Sequence, residues 1–474
     1  MTTPHDSLSA RPTVVIVGSG FGGLFAARAL AKTDADVVLI AKTSHHLFQP
    51  LLYQVATGIL SQGEIAPSTR EVLASQKNAT VVLGEVTDID LASRTLTAQL
   101  IGREETFTQH YDQLIVAAGA TQSWFGHDEF AIHAPGMKSI DDALELRGRI
   151  FGAYEFAEVA AREGRPDEVA DLMTFVVVGA GPTGVEMAGQ LVELSKRTLR
   201  HDFRHIKPGD ARIVLLDAAP AVLGSFHPSL QGKTKAALER MGVDVRLGAM
   251  VTDVDERGIT VRTTGPDGQP REERIGAVTK VWAAGVAASP LAKQLADQVG
   301  LEVDRAGRIP VQPDLTLPGH PEVHVIGDMA ALDKLPGVAQ VAIQGARHSA
   351  TEIKKTFAGE PTGARFTYFD KGSMATISRF RAIAEIGRIR LTGFVAWLAW
   401  LGVHLVYIIG FKSRLTTLIS WFVSFIGRGR AERTITAQQV YGRLALERLA
   451  EIEDIAPDEV EGELADENAR RRSA

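Results

Sequence analysis

Short apolar runs, each followed by a glycine-rich turn, recur along the chain. Val14–Val17 and Phe175–Val178 are rich in β-branched residues, which is typical of buried parallel strands. Segments of helical composition, Leu24–Lys32 and Val185–Lys196, follow the two turns. The pattern therefore predicts an α/β protein in which two units each begin with a strand, a turn and a helix.

The two turns share the spacing Gly-x-Gly-x-x-Gly. They read Gly18-Ser19-Gly20-Phe21-Gly22-Gly23 and Gly179-Ala180-Gly181-Pro182-Thr183-Gly184. Between a strand and a helix, this spacing presents backbone N–H groups and a positive helix end to a pyrophosphate, a context that an ordinary glycine-rich turn lacks. We predict two Rossmann-like domains that bind two nucleotides, an arrangement in which a nicotinamide can pass a hydride to a flavin.

The second turn carries the clearer sign of its ligand. The strand Arg212–Leu216 ends in Asp217, and a carboxylate at that point binds an adenosine ribose diol and repels a 2′-phosphate. A later strand leads into Ala284-Gly285, where small residues let the backbone approach a ligand. The second site is therefore predicted to bind NADH rather than NADPH.

The first turn lacks that acidic partner, because the strand Val37–Ile40 is followed by Ala41-Lys42. Taken alone, Lys42 could recognise the 2′-phosphate of NADP. Two later strands favour a flavin instead: Leu114–Ala120 ends in small residues, and Val323–Asp328 ends in a carboxylate. A carboxylate there could accept hydrogen bonds from a ribityl chain, so the prediction is non-covalently bound FAD.

Composition limits the chemistry further. The 474 residues suggest two to four domains, and a formal net charge of −6 gives no sign of nucleic-acid binding. The absence of cysteine excludes a thiol relay, disulfides and Cys-ligated metals, so a reduced flavin must pass its electrons directly to an outside acceptor. We expect no metal site, because adjacent His45 and His46 point in different directions and are better explained by loop packing.

Two apolar runs lie near the C-terminus. Residues 393–411 contain no charged side chain, and a stripe of rings runs along their length: Trp397, Trp400, His404 and Tyr407. The second run is Leu415–Ile426, and a polar stripe of Ser413, Thr417, Ser420 and Ser424 follows it on one face. The run is flanked by the cations Lys412, Arg414, Arg428, Arg430 and Arg433. These patterns favour monotopic helices in the membrane interface, with cations near anionic head groups, over spanning helices; a buried hairpin or a dimer interface is the alternative.

Four stretches resemble the type II (non-proton-pumping) NADH:quinone oxidoreductases. They are His45–Gly58 (HHLFQPLLYQVATG), Gly181–Glu186 (GPTGVE), Ala339–Gln344 (AQVAIQ) and Asp370–Ala375 (DKGSMA). The resemblance spans roughly residues 12–430. It implies a glutathione-reductase-like flavoprotein with two dinucleotide-binding domains, which passes electrons from NADH through FAD to menaquinone or ubiquinone without pumping protons.

The resemblance also implies roles for individual residues. The catalytic residues would be Glu186, Gln340 and Gln344. FAD contacts would come from Gly18, Gly20, Phe21, Gly22, Gly23, Lys42, Val86, Ala118, Gly119, Gly327, Asp328, Ala339, Gln340 and Lys371. NADH contacts would come from Gly179, Gly181, Pro182, Thr183, Gly184, Glu186, Asp217, Ala284 and Gly285.

Helix physics bears on the three catalytic candidates. Ala339–Phe357 is predicted to be a helix whose positive N-terminus stabilises negative charge on a reduced flavin. Gln340 and Gln344 lie one turn apart on one face, so both can reach a quinone; two solvent-facing glutamines are the alternative. Glu186, near the start of its helix, is explained equally well by helix-dipole stabilisation and by a role beside the nicotinamide.

The predicted domain order follows from these assignments. It comprises an FAD-binding segment (11–125), an NADH-binding domain (126–295), a second FAD-binding segment (296–360), a membrane-anchoring and quinone-access region (361–430) and a helical to disordered acidic tail (431–474). With no secretory signal at the polar N-terminus, we expect the protein at the cytoplasmic face of the cell membrane. We also expect a homodimer. The alternatives are a reductase of a soluble ferredoxin- or rubredoxin-type carrier and a membrane-tethered NADH sensor.

Overall fold

The structure is a computed structural model that describes residues 11–265, 267–427, 429–437 and 439. Its strands are β1 (Thr13–Val17), β2 (Asp36–Ala41), β3 (Ala79–Asp90), β4 (Thr95–Leu100), β5 (Thr106–His110), β6 (Gln113–Val116), β7 (Ala120–Gln122), β8 (Thr174–Val178), β9 (Arg212–Asp217), β10 (Val243–Leu247), β11 (Met250–Val254), β12 (Gly258–Thr264), β13 (Pro270–Gly276), β14 (Thr279–Trp282), β15 (Val286–Ala288), β16 (Ile309–Pro310), β17 (Thr316–Leu317), β18 (His320–Val325), β19 (Ala330–Ala331), β20 (Ser373–Ser378), β21 (Arg381–Ile386) and β22 (Ile389–Thr392). Its α-helices are α1 (Phe21–Ala29), α2 (Leu52–Ala56), α3 (Gln62–Ile65), α4 (Thr69–Leu73), α5 (Ile140–Arg162), α6 (Pro166–Leu172), α7 (Pro182–Glu193), α8 (Pro228–Met241), α9 (Leu291–Gln298), α10 (Ala339–Ala358), α11 (Gly393–Tyr407) and α12 (Phe411–Ile426).

The first nucleotide-binding unit is built on a sheet of order β17-β18-β6-β1-β2-β3-β4-β5. Strands β18, β6, β1, β2 and β3 are parallel, so their carboxyl ends meet at one edge, where the first glycine turn leaves β1. The central strands β1 and β6 are buried, with Val14–Ile16 and Leu114–Val116 fully enclosed, as the apolar runs predicted. Helices α1 and α10 pack against each other beside this sheet.

The second unit is a parallel sheet of order β10-β9-β8-β14, and the antiparallel sheet β11-β12-β13 is inserted in the chain between β10 and β14. An antiparallel ribbon of β7 and β15 pairs Gln122 with Val286 between the two units. The predicted α/β fold with two Rossmann-like units is thereby confirmed. Helix α9 packs its apolar face into the core of the first sheet, and the predicted domain boundary at residue 295 falls inside this helix.

Both helices that follow the glycine turns begin three residues earlier than predicted. Helix α1 begins at Phe21 rather than Leu24, and α7 begins at Pro182 rather than Val185. The last glycine of each turn already lies in the helix, pressed against the first: a Cβ on Gly184 would lie 1.7 Å from the Gly179 carbonyl oxygen. A glycine in these positions permits close packing between turn and helix. Composition alone interprets the same glycine as a helix breaker, which explains the late predicted starts.

The C-terminal part contains the antiparallel sheet β20-β21-β22 followed by α11 and α12. The apolar run 393–411 is not one helix, because Gly410, at φ +93°, separates α11 from α12. Among the described residues, no helix is both long and apolar enough to cross a membrane. The predicted acidic tail lies, beyond residue 439, outside the described residues.

The stripe of rings on α11 packs onto the protein, whereas the sequence pattern predicts that it faces a membrane interface. Trp397 and Trp400 are buried, and Trp400 stacks on His404 at 4.1 Å between ring centroids and contacts Trp421 of α12. Large rings at helical spacing gain more from filling a core than from partial exposure, so they mark the packed face. The outer face of α11 is mainly aliphatic instead, with Val406 66% exposed.

On α12 the polar stripe faces the protein and the apolar stripe faces outward, which is the reverse of the usual amphipathic surface helix. Thr417 is fully buried and Ser420 donates to Glu64 Oε1 at 2.7 Å, so the polar stripe packs on the protein. The opposite face is exposed and apolar, and the two helices together expose Phe394, Val395, Leu398, Val403, Val406, Phe411, Leu415, Leu418, Ile419, Phe422, Val423 and Ile426. A continuous exposed apolar surface of this kind marks an interaction site.

Three of the cations assigned to head groups are engaged within the protein instead. Arg414 donates to the Ile408 and Val406 carbonyl oxygens at 2.7 and 2.8 Å, which caps the end of α11. Arg430 is buried and donates to Thr57 and Gln190, and Arg433 pairs with Asp202. Carbonyl groups left free at helix ends need donors, and a nearby arginine supplies them. Lys412 is exposed, and Arg428 lies outside the described residues.

Candidate functional site

The first glycine turn leaves an open concavity at its centre. Gly18, at φ +102°, lies so close to Ala117 that a Cβ would approach its carbonyl oxygen to 2.4 Å. Gly23 is equally enclosed, with the Gly18 oxygen 1.8 Å from its Cβ position. At Gly20, by contrast, no heavy atom of the described chain lies within 4 Å of that position. The turn is closed where it meets the protein and open where a pyrophosphate would approach it.

The second turn repeats this geometry. Gly179, at φ +103°, would bring a Cβ within 2.7 Å of the Ala284 nitrogen, so the turn rests on the Ala284-Gly285 segment as Gly18 rests on Ala117. Around Gly181 the space again holds no heavy atom of the described chain within 4 Å. Two turns with the same enclosed and open positions fit two dinucleotides.

The predicted partners of the first turn lie beside it. Gly22 contacts Ala117 and Ile326, so the strand ends that carry Ala118-Gly119 and Gly327-Asp328 are brought to the turn. Gly327 in turn lies against the first turn of α10, where a Cβ would be 3.3 Å from Ala342. The N-terminus of α10, beginning at Ala339, has no side-chain cap, which leaves its first N–H groups available to a ligand.

Lys42 and Val86 occupy the other side of the same sheet edge. Lys42 is exposed at the end of β2 and forms an ion pair with Glu85 at 3.7 Å. Val86 is buried with Val17 and Ile40, so it lies by the carboxyl ends of β1 and β2. Both positions are compatible with the predicted contacts to the adenosine half of a cofactor.

Asp217 lies directly against the second glycine turn. Its Oδ2 accepts from the Ala180 N–H at 2.5 Å and its Oδ1 from the Ala219 N–H at 2.7 Å. These bonds fix the carboxylate at the end of β9, beside the open space at Gly181. A fixed negative charge in this place favours a ribose diol and repels a 2′-phosphate.

We expect Asp217→Asn to reduce discrimination against NADPH. The amide can still accept from Ala180, but it no longer repels the 2′-phosphate, so the ratio of kcat/KM for NADH over NADPH should fall by about tenfold or more. Asp210→Asn, an exposed carboxylate that precedes β9, is the matched control and should retain the wild-type ratio. An unchanged ratio in Asp217→Asn would exclude this carboxylate as the selectivity determinant.

Glu186 is buried on α7 and faces β20. Its Oε1 accepts from the Thr376 N–H at 3.2 Å and from the Thr376 hydroxyl at 3.4 Å. Burial raises the pKa of this carboxyl to about 8, against the opposing effect of the two bonds from Thr376. Desolvation therefore outweighs the two hydrogen bonds from Thr376 in setting the pKa of this carboxyl.

The two glutamines of α10 have different surroundings. Gln344 exchanges two hydrogen bonds of 3.0 Å with the backbone of Phe369, which fixes the segment leading to Lys371. Gln340 has a buried Oε1 without a partner in the described chain. They are on one helix face as predicted, but Gln344 acts on the 369–371 segment while Gln340 remains available to a ligand.

Lys371 and Tyr407 meet beside Gln340. Lys371 Nζ donates to the Tyr407 hydroxyl oxygen at 2.9 Å. Burial raises the pKa of Tyr407, but hydrogen bonds from Lys371 and Gln340 outweigh it and lower that pKa overall. Both side chains line an open cleft of about 1180 Å³ that continues past Gly410 to Phe411 and the exposed face of α12. The cleft therefore connects Lys371 and Tyr407 to the apolar surface, and Gln340 reaches it through its hydrogen bond to Tyr407.

Histidine and lysine side chains near the first turn complete the site. His46 is fully buried, with its Nδ1 donating to the Ser19 carbonyl oxygen at 2.9 Å, in agreement with the loop-packing interpretation. Sequence reasoning missed Lys138. Burial lowers the pKa of this side chain, and the nearby Asp328 carboxylate offsets only part of that effect. Sequence reasoning also missed Tyr53 and Thr376 around Glu186, although Tyr53 lies in the stretch His45–Gly58 and Thr376 directly follows the stretch Asp370–Ala375.

Known proteins share both the sequence and the fold. The pyridine nucleotide-disulphide oxidoreductase family matches residues 12–346. The chain is 57% identical over 456 residues to the type II NADH:quinone oxidoreductase Ndh of Mycobacterium tuberculosis, covering 95% of this chain and 96% of that protein. NdhA of the same organism is 56% identical, with 93% of each chain covered. The fold matches NDH2 of Plasmodium falciparum, solved in complex with NADH, with a TM-score of 0.77 at 20% identity over 88% of this chain and 99% of that one.

Proposed function

This chain belongs to the type II NADH:quinone oxidoreductases and is an enzyme that oxidises NADH with a quinone; on that premise we propose that it holds FAD at the first glycine turn and NADH at the second. The observation that carries this proposal is the repeated geometry at Gly20 and Gly181, where two enclosed turns each leave one open position. FAD held there would supply the redox chemistry, taking up a hydride from NADH and a proton from solvent and delivering two electrons and two protons to the quinone.

The chain's own residues orient and polarise the two ligands. The N-terminus of α10 would direct its free N–H groups toward the flavin, and Asp328 would accept hydrogen bonds from the ribityl hydroxyls. Asp217 would fix the adenosine ribose of NADH. Glu186, held by Thr376, would lie beside the nicotinamide, where a carboxylate stabilises the positive charge that develops as the hydride leaves.

We place the quinone at the far end of the same cleft. Gln340 and Tyr407 would donate hydrogen bonds to its carbonyl oxygens, and Lys371 would supply a positive charge beside them. The cleft leads past Phe411, which is 82% exposed, to the apolar surface of α11 and α12. A lipid-borne acceptor would enter the cleft at this apolar surface.

The apolar surface supports attachment to a membrane without crossing it. Its exposed side chains would insert into the interface of the cytoplasmic leaflet, as monotopic helices do. The reaction at such a surface requires no ion path through the bilayer, so the proposal includes no proton pumping. Either menaquinone or ubiquinone fits this scheme, and the predicted homodimer stays a prediction.

Gln340→Leu tests the assignment of the two ends of the flavin. The variant retains its volume but loses the amide, so quinone reduction should slow by about tenfold while NADH reduces the bound flavin at the wild-type rate. Stopped-flow measurement of the two half-reactions separates these effects. Equal slowing of both half-reactions would contradict the placement of Gln340 at the quinone.

The soluble-carrier and sensor alternatives predict different behaviour. A carrier reductase would show high activity with a ferredoxin- or rubredoxin-type protein and little with quinone, and the exposed face of α12 would have no part in turnover. A sensor would bind NADH and reduce its flavin, yet turn over slowly with every acceptor. The exposed apolar surface together with the family's activity favours the quinone reductase.

A further inference from the structure

A row of buried polar side chains connects the surface helix α12 to Glu186. Trp421 Nε1 lies 2.7 Å from Gln54 Oε1, and Gln54 Nε2 lies 3.1 Å from the Tyr53 hydroxyl oxygen. That hydroxyl lies 2.9 Å from Thr376 Oγ1, which in turn lies 3.4 Å from Glu186 Oε1. All five side chains are buried, with exposed fractions of 8% or less.

Trp421 fixes the direction of the first two hydrogen bonds in this row, and the last two follow when Glu186 is ionised and can only accept. An indole N–H can only donate, so Gln54 must present its oxygen to Trp421 and its NH₂ group to Tyr53. The hydroxyl hydrogen of Tyr53 is then free to be donated to Thr376. Thr376 donates its own hydrogen to Glu186, so each bond polarises the next toward the carboxylate.

The two ends of the row face different environments. Trp421 belongs to α12, whose opposite face exposes Ile419 and Val423 to the proposed bilayer. Glu186 Oε1 accepts both the Thr376 hydroxyl and the Thr376 N–H, whereas its Oε2 accepts no hydrogen bond from the described chain. The row therefore runs from the surface helix to one oxygen of the carboxyl group and leaves the other available.

We propose that Trp421, Gln54, Tyr53 and Thr376 form a polarised hydrogen-bond chain through which the surface helix α12 orients Glu186 and favours its ionised form. Trp421 and Gln54 are positioning residues in this scheme, because they act on the nicotinamide only through Glu186. The inference rests on the proposed function, which places Glu186 beside the nicotinamide. It adds a physical connection between the membrane-facing helix and the hydride-transfer end of the site.

Two contacts from Thr376 stabilise ionised Glu186, first the backbone N–H and then the hydroxyl that ends the hydrogen-bond row. Tyr53 of α2 is the titratable side chain that faces it, and β20 brings the Thr376 hydroxyl and no charged residue. Farther along α7, Glu193 lies near Arg430 from the segment after α12, and near Arg197 and Arg379. Since burial raises the pKa of Glu186 to about 8, losing a donor should raise that pKa further.

The test is the pH profile of flavin reduction by NADH, measured by stopped flow on the full-length holoenzyme. Ionised Glu186 stabilises the developing nicotinamide charge, so the rate should rise with pH through a midpoint near 8. Thr376→Val should move this midpoint upward by about one pH unit, and Trp421→Phe by about half a unit in the same direction. Tyr53→Phe provides a further variant in case either protein fails to fold.

Matched substitutions separate the chain from general packing effects. Thr376→Ser keeps the hydroxyl, so this variant should retain the wild-type midpoint. Trp397→Phe makes the same change as Trp421→Phe in a buried ring that packs on Phe425 at 5.3 Å and donates no hydrogen bond within the described chain. It should keep the wild-type midpoint.

Two outcomes would overturn different claims. If Glu186→Gln abolishes the pH-dependent rise but Trp421→Phe, Tyr53→Phe and Thr376→Val keep the wild-type midpoint, the polarised chain is wrong and the proposed role of Glu186 stands. If Glu186→Gln leaves the rise unchanged, the placement of Glu186 beside the nicotinamide is itself wrong. Upward shifts in the chain variants that are absent from both matched controls would support the inference.

Discussion

Gly20→Ala should give a folded protein that purifies with little bound flavin. The Cβ would enter space that no heavy atom of the described chain occupies within 4 Å, so the substitution adds no clash inside the protein. It would instead hold a pyrophosphate away from the backbone N–H groups of the turn. Charge-assisted hydrogen bonds contribute about 1.5–3 kcal/mol each, so losing one weakens flavin binding by about 10- to 100-fold.

The flavin-to-protein absorbance ratio measures this effect, and thermal unfolding checks the fold. Gly232→Ala, in α8, is the matched control, because its Cβ also enters open space but lies far along the chain from either turn. Gly23→Ala provides the opposite reference, since its Cβ would lie 1.8 Å from the Gly18 oxygen and should destabilise the turn itself. A flavin content equal to that of the wild type in Gly20→Ala would contradict the assignment of this turn.

The double variant Leu418→Asp/Phe422→Asp should detach the protein from membranes while leaving it folded. Both side chains are at least half exposed on the outer face of α12, so aspartate costs little in the free protein. On the membrane, each apolar side chain removed from the interface forfeits about 1–2 kcal/mol, and the new charges are repelled by anionic lipids. Vesicle affinity should fall on the order of 100-fold.

Co-sedimentation with vesicles that contain anionic phospholipid measures this loss. Val159→Asp, a half-exposed apolar residue on α5, is the control for adding charge elsewhere and should bind vesicles normally. The double variant should also lose activity with a long-chain quinone embedded in vesicles but keep activity with a short, water-soluble analogue. Normal vesicle binding by the double variant would mean that another surface attaches this protein to the membrane.

The repeated strand–turn–helix units could be predicted because their signal is local. Apolar runs such as Val14–Val17 and Phe175–Val178 determine buried parallel strands, and the glycines of each turn are needed for close backbone contacts within a few residues. The position of Asp217 against Ala180 follows from the same register, since β9 pairs with β8 in parallel. The starts of α1 and α7 were predicted three residues too late, because glycine was treated as a helix breaker.

The C-terminal helices show what local patterns leave out. Periodicity identified one stripe on α11 and another on α12, but which face turns inward depends on partners distant in sequence. Trp400 is buried because α12 brings Trp421 against it, and Arg430 is buried because Thr57 and Gln190 accept its hydrogen bonds. Sequence spacing locates such stripes without showing what covers them.

The environment of Glu186 could not be predicted for the same reason. Its donor Thr376 is 190 positions away in the chain. Thr376 in turn pairs with Tyr53 of α2, and the neighbouring Gln54 accepts from Trp421 of α12. Burial, which dominates the pKa of this carboxyl, is a property of that assembly. The motif around Glu186 indicated its importance, whereas the physical reason required the three-dimensional contacts.

The most direct test of the central claim follows the bound flavin under anaerobic conditions. NADH is mixed with purified protein on quinone-containing vesicles, and flavin absorbance is recorded through reduction and reoxidation. We predict that an equimolar amount of NADH bleaches the flavin and that the quinone restores it at a rate no slower than kcat. A protein that contains no flavin, or a reduced flavin that persists with quinone and is reoxidised only by a soluble carrier protein, would contradict the account.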